Sequence, residues 1–125
     1  MEKKAIVTDK APAALGPYSA GIVAGGNIHL SGQLGIDPAT GKLAGDVQGQ
    51  TRQSLTNIKN ILAAAGAEMK DVVECEVLLA HMSDFAAMNE VYAEFFEAPY
   101  PARCAFEVAA LPAQALVEIK CVARV

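Results

Sequence analysis

Apolar residues recur along this chain in two rhythms, one of period two and one of period three to four. Alternation marks residues 18–24 and 27–33, and the Gly25-Gly26 pair between them suits a two-residue hairpin turn. Pairing Ala24 with Asn27 places Tyr18, Asn27, His29, Ser31 and Gln33 on one face, and Gly21, Val23, Ile28 and Leu30 on the other. Gly35, Asp37-Pro38 and Gly41 punctuate a loop. Val47, Thr51, Leu55, Ile58, Leu62 and Ala65 then recur at helical spacing, with Gly66 as the stop. Asp71 leads into a strand over 72–80, where Cys75, Val77 and Leu79 share one side. Ser83 or Asp84 can cap a second helix with the stripe Phe85, Met88, Tyr92 and Phe95 or Phe96, ended by Pro99 and Pro101.

Two more strands, over 102–109 and 116–123, close the chain. With a short strand at 5–8 the order is β-β-β-α-β-α-β-β. Arg103, Ala105 and Glu107 share one face of the first closing strand, and Cys104, Phe106 and Val108 the other. In the second, Glu118, Lys120 and Arg124 alternate with Val117, Ile119, Cys121 and Ala123. Two helices cannot cover both faces of a six-stranded sheet, so both are expected on its apolar face, in one two-layer α+β domain over 1–125. The opposite face would then carry Tyr18, Ser31, Arg103 and Glu118, either solvated or buried in an oligomer.

Composition favours the oligomer. Apolar residues make up 53% of the 125, and charged residues 19%, which is oily for a lone domain of this size. The net charge of −4 comes without a Lys/Arg run, which argues against a nucleic-acid surface. No stretch reaches the roughly 18 apolar residues of a membrane span, and the charged N-terminus lacks the apolar core of a secretory signal. Cys75, Cys104 and Cys121 are odd in number and form no C-x-x-C pair. They read as reduced thiols of a cytoplasmic protein, with neither a disulfide framework nor a zinc site.

In so acidic a chain, a small anionic substrate needs a local cation. Arg103, just after Pro101-Ala102, offers a fork that binds a carboxylate through two parallel hydrogen bonds, although an isolated Arg is more often a solvated surface charge. Glu118 interrupts the apolar run L-V-E-I-K-C-V. It is either an edge-strand solubilising charge or a general acid/base. Composition does not choose between these readings. His29 and His81 lack the spacing of metal ligands, and neither a phosphate loop nor a nucleophile elbow is present. Cys104 is expected to point away from Arg103 into the helix-packed layer, as an inert buried thiol.

The segment P-A-R-C-A-F-E-V-A-A-L-P, followed by L-V-E-I-K-C-V, strongly resembles the C-terminal signature of the Rid family (also called YjgF). The resemblance continues through G-P-Y-S-A-G, L-S-G-Q-L-G-I-D-P-x-T-G, Q-T-R-Q-S-L-T-N-I-K-N-I-L-A-A-A-G and M-N-E-V-Y-A-E-F-F, and so covers nearly the whole chain. It implies a chorismate-mutase-like fold and a homotrimer with clefts between subunits. It also implies a hydrolytic deaminase that converts 2-iminobutanoate or 2-iminopropanoate, or the parent enamines, to 2-keto acids and ammonia without cofactor or metal. Carried over by position, the carboxylate-binding arginine is Arg103 and the water-associated acid is Glu118. The resemblance further assigns substrate contacts to Tyr18, Ser31, Gly32, Asn89 and the backbone of Ala105. Many bacterial members have a cysteine two residues after the arginine. Here that position is Ala105 and the cysteine is Cys104, which removes the basis for thiol chemistry.

In the implied mechanism Arg103 holds the carboxylate, water attacks the C=N carbon, and Glu118 orients the water and passes protons. A simple hairpin turning near Pro112-Ala113 would put Arg103 opposite Val122, about 13 Å along the strand from Glu118. The two strands are therefore expected not to be simple neighbours, or the cleft to join two subunits. Arg103 and Glu118 are expected to approach each other, with Tyr18 and Ser31 supplied by another chain. The rival readings are a non-catalytic binding or regulatory trimer, a ribonuclease or translation inhibitor, and, from fold alone, a chorismate mutase.

Overall fold

The computed structural model describes residues 2–125. Its strands are β1 (Lys4–Ile6), β2 (Gly21–Ala24), β3 (Asn27–Leu30), β4 (Gln33–Leu34), β5 (Val72–Leu79), β6 (Ala102–Glu107) and β7 (Val117–Arg124). Its helices are α1 (Val47–Ala64) and α2 (Phe85–Tyr92), so the chain is an α+β protein. The sheet runs β1-β2-β3-β7-β5-β6, and β4 pairs with β7 beyond the end of β3. Among the described residues seven strands thus replace the six expected. The β5–β6 pair is parallel and the others are antiparallel.

Local chemistry accounts for several elements. Gly25 and Gly26 adopt φ of 56° and 82°, as the tight hairpin turn demands, and Ala24 pairs with Asn27 as expected. Asp46 caps α1 by accepting a hydrogen bond from the Gly49 N–H at 2.7 Å. Gly66, at φ 79°, follows its last turn. Helix α1 lays Leu55, Ile58, Ile61 and Leu62, all fully buried, against Ile28, Val77, Val117 and Ile119 of the sheet. Helix α2 packs beside α1 in the same layer. It stops at Tyr92, and the buried Phe96 lies in the segment after it.

Two placements differ from the strand-face expectations. From His29↔Val122 to Gln33↔Ile119, β3–β4 advances four residues while β7 advances three. The extra residue at Ser31-Gly32 is a bulge, and it reverses the alternation beyond it. Gln33 therefore lies in the core, where its carbonyl accepts the Ser54 hydroxyl at 2.7 Å. The second difference concerns β6. Arg103 pairs with Cys75, which faces the helices, so Arg103, Ala105 and Glu107 face the helix layer. Cys104 is exposed and lies on the open face with Phe106, not in the core. The parallel register with β5 decides this phase, and an apolar run on β6 alone does not.

Candidate active site

The site residues fall into two groups. The first surrounds Arg103 on the edge strand β6. Phe85, Asn89 and Tyr92 stand at i, i+4 and i+7 on α2 and so share one stripe facing β6. The exposed Arg103 guanidinium lies along this stripe. Its Nη1 donates to Asn89 Oδ1 at 2.7 Å, and its Cζ is 4.7 Å from the Tyr92 ring centroid and 5.5 Å from that of Phe85. Glu107, two positions past Ala105, accepts the Met82 N–H at 2.8 Å and ties the start of α2 to β6. Ala105 is half-buried against the core. Among the described residues no strand covers the outer side of β6, so part of its backbone is open to a ligand or another chain.

The second group surrounds Glu118 on β7. A hollow of about 410 Å³ is lined by Leu15, Tyr18, Gly32, Leu34, Pro112 and Glu118, among others. Glu118 is half-buried, and this desolvation raises its carboxyl above the ordinary carboxylate range. Tyr18 is 54% exposed at the rim. Ser31, next to Gly32 in the chain, does not line the hollow. Its hydroxyl donates to the Ser19 carbonyl at 2.6 Å and anchors the Tyr18 loop to the sheet.

Arg103 and Glu118 do not meet within one chain. Strand β5 separates β6 from β7, so the two closing strands are not hairpin neighbours, as the spacing argument anticipated. Cys75 pairs with both Arg103 and Cys121, which puts Arg103 level with Cys121. Glu118 is three residues from that level, about 10 Å along the strand, and it points to the opposite face. The expectation that the two approach each other fails within the protomer. The expected split also changes, because Glu118 goes with Tyr18, Ser31 and Gly32, and Arg103 with Asn89 and Ala105.

Sequence reasoning read Phe85 and Tyr92 only as a core stripe and did not anticipate their contact with Arg103. The signal was Asn89, a polar residue inside that stripe at the spacing that faces a neighbouring strand. Among the described residues, no group of three His, Cys, Asp or Glu side chains is arranged to hold a metal ion, and no helix is long and apolar enough to cross a membrane.

The profile of the Endoribonuclease L-PSP family matches residues 8–125. A goat protein named 2-iminobutanoate/2-iminopropanoate deaminase is 49% identical over 97% of this chain and 89% of its own length. The crystal structure of RidA from an Antarctic Psychrobacter superposes with a TM-score of 0.95 at 46% identity, covering 98% of this chain and 99% of that one. Escherichia coli TdcF, solved with bound serine, superposes with a TM-score of 0.94 at 42% identity, covering 98% of each chain. Family profile, sequence identity and backbone agree over nearly the full length, and the chain belongs to the Endoribonuclease L-PSP family, the group that includes the Rid proteins.

Proposed function

We propose that this protein is a hydrolytic deaminase of small 2-imino acids, 2-iminobutanoate and 2-iminopropanoate, acting in the cytoplasm as a homotrimer. The observation that carries the reading is the Arg103 guanidinium, fixed by the neutral Asn89 amide while its other N–H donors remain free for a carboxylate. The deaminase names of relatives at this identity support it, as does the serine, a small α-amino carboxylate, bound to the E. coli protein.

In this reading the cleft lies between subunits. Arg103, Asn89 and the Ala105 backbone come from one protomer, and Tyr18, Ser31, Gly32 and Glu118 from its neighbour. The separation of the two groups within one chain supports this division. The exposed Phe106 on the open face of the sheet also supports burial against another copy. Arg103 binds the carboxylate of the imino acid. Water adds to the carbon of the protonated imine while the Glu118 carboxylate accepts its proton, giving a neutral tetrahedral carbinolamine. Glu118 returns that proton to nitrogen and then takes the hydroxyl proton as the C–N bond breaks. The oxygen becomes the carbonyl of the 2-keto acid, ammonia leaves, and the proton passes from Glu118 to solvent. A carboxylate whose pKa is raised by burial is a stronger base than an exposed one, which suits this two-way proton transfer.

The test is a coupled assay in which an amino-acid oxidase or a dehydratase generates the imine and 2-keto acid release is timed. Wild-type protein is expected to accelerate release, and Arg103→Ala to abolish most of the acceleration. No acceleration by wild type would leave a non-catalytic ligand-binding trimer as the better reading. Sedimentation is expected to give three chains per particle, and a monomer would refute the shared cleft. A ribonuclease reading is disfavoured by the net charge of −4.

A further inference from the structure

We infer that Tyr92, assisted by Phe85, is a positioning residue for substrate binding: the two rings and Asn89 hold the Arg103 guanidinium in one orientation without neutralising its charge. The inference rests on the deaminase reading for its substrate and on the geometry of α2 and β6 for its mechanism.

An exposed arginine needs some partner to hold its plane. The commonest is a carboxylate, but that would compete with the substrate for the same N–H donors. Among the described residues the ion pairs involve Arg52 and Lys70, and no carboxylate lies within ion-pair distance of Arg103. Its partners are an amide oxygen and two rings. Tyr92 is a fixed platform. It is only 6% exposed, and its ring packs against Phe96 with centroids 4.6 Å apart. Aromatic packing occupies the face of a guanidinium and leaves its in-plane N–H groups free. Asn89 then takes one N–H of Nη1 and fixes rotation within that plane. The remaining donors can meet a carboxylate as a preformed fork, so less freedom is lost on binding. Asn89 accordingly acts through Arg103, whereas the resemblance had assigned it to the substrate.

Three variants test this: Tyr92→Leu, Tyr92→Phe and the less buried Phe85→Leu. In the coupled assay Tyr92→Leu is expected to raise KM on the order of tenfold while kcat changes by less than about twofold, as loss of uniform binding requires. The Kd for the product 2-oxobutanoate should rise by the same factor. Tyr92→Phe keeps the ring and should restore both to within about twofold of wild type. The Arg103 Nε–H resonance, shifted by the rings in wild type, should move toward the position of a free arginine in Tyr92→Leu and stay in place in Tyr92→Phe. A folded Tyr92→Leu protein with unchanged KM, product Kd and Arg103 resonance would overturn the inference. If Tyr92→Leu does not fold, Phe85→Leu carries the same three measurements. If wild type does not accelerate imine hydrolysis, the deaminase reading falls, and the Arg103 resonance still decides whether the rings hold the guanidinium.

Discussion

Glu118 lies so close to the backbone of Gly32 that a methyl group at position 32 would sit 2.9 Å from the Glu118 carboxyl carbon. The absence of a side chain at Gly32 therefore makes room for the carboxylate in its hollow. The close neighbour is the end of a flexible side chain, so a substitution should displace Glu118 and spare the fold. Gly32→Ala is expected to lower kcat for imine hydrolysis by roughly 10- to 100-fold, the scale of a misplaced general base. Thermal unfolding should shift by only a few degrees, about 1 kcal/mol of stability. A Gly32→Ala protein with wild-type kcat would show that Glu118 does not need this seat.

The raised Glu118 carboxyl has consequences for both rate and stability. Activity that needs ionised Glu118 should rise with pH along a limb whose midpoint lies above the ordinary value of 4.5. Glu118→Gln should remove that limb and cost about 10²-fold or more in kcat. For an acid with a raised pKa, the folded state binds the proton more tightly than the unfolded chain. Its stabilising contribution is full below about pH 4.5 and is lost as pH rises through the folded pKa. Ionised Glu118 thus destabilises the fold at neutral pH. The Tm of Glu118→Gln relative to wild type should increase between about pH 4 and pH 7. Parallel Tm curves for the two proteins would contradict the sign.

Arg103 is not replaceable by another cation. Arg103→Ala should lower kcat/KM by about 10²-fold, the scale of lost hydrogen bonds to a charged group. Lysine keeps the charge but has no plane to lie against Tyr92 and no fork for a carboxylate. Arg103→Lys is therefore expected to recover less than about a tenth of wild-type kcat/KM. Full recovery with lysine, measured in the same assay, would mean that charge alone suffices.

Tyr92→Phe also carries a stability prediction. The Tyr92 hydroxyl is buried beside the Cys75 thiol, which is at best a weak partner, and no hydrogen bond of ordinary geometry reaches it among the described residues. Burial raises both groups above their ordinary pKa, so neither ionises near neutrality. Removing a buried hydroxyl with so weak a partner relieves its desolvation, so Tyr92→Phe should unfold at the same denaturant midpoint or a higher one, by up to about 1 kcal/mol. A loss above ~1 kcal/mol in urea unfolding would reveal a hydrogen bond at that hydroxyl.

Much of the fold was legible where neighbours in the chain decide it. The Gly25-Gly26 turn set the register of its hairpin, because both positions favour the positive φ the turn needs. Helical periodicity located α1 to within a residue, and strict alternation identified which side of β7 is buried. The motifs around Arg103 and Glu118 pointed to the family, and the two closing strands are indeed not hairpin neighbours, although Arg103 and Glu118 do not approach each other within the chain as the spacing argument assumed.

What the sequence determined by itself, then, were most of the elements, the buried sides of α1 and β7, and the residue types offered for catalysis, since turns and periodicity depend on short-range sterics. Only tertiary structure decided where Arg103 points. Its face of β6 follows from the parallel register with β5, and the antiparallel register of β7 with β5 places Glu118 on the opposite side of the sheet. The one-residue bulge at Ser31-Gly32 likewise depends on the pairing with β7. These are contacts between segments far apart in the chain, and a single residue of register reverses a face. That is why the pattern could name Arg103 as the cation but could not place it against Tyr92.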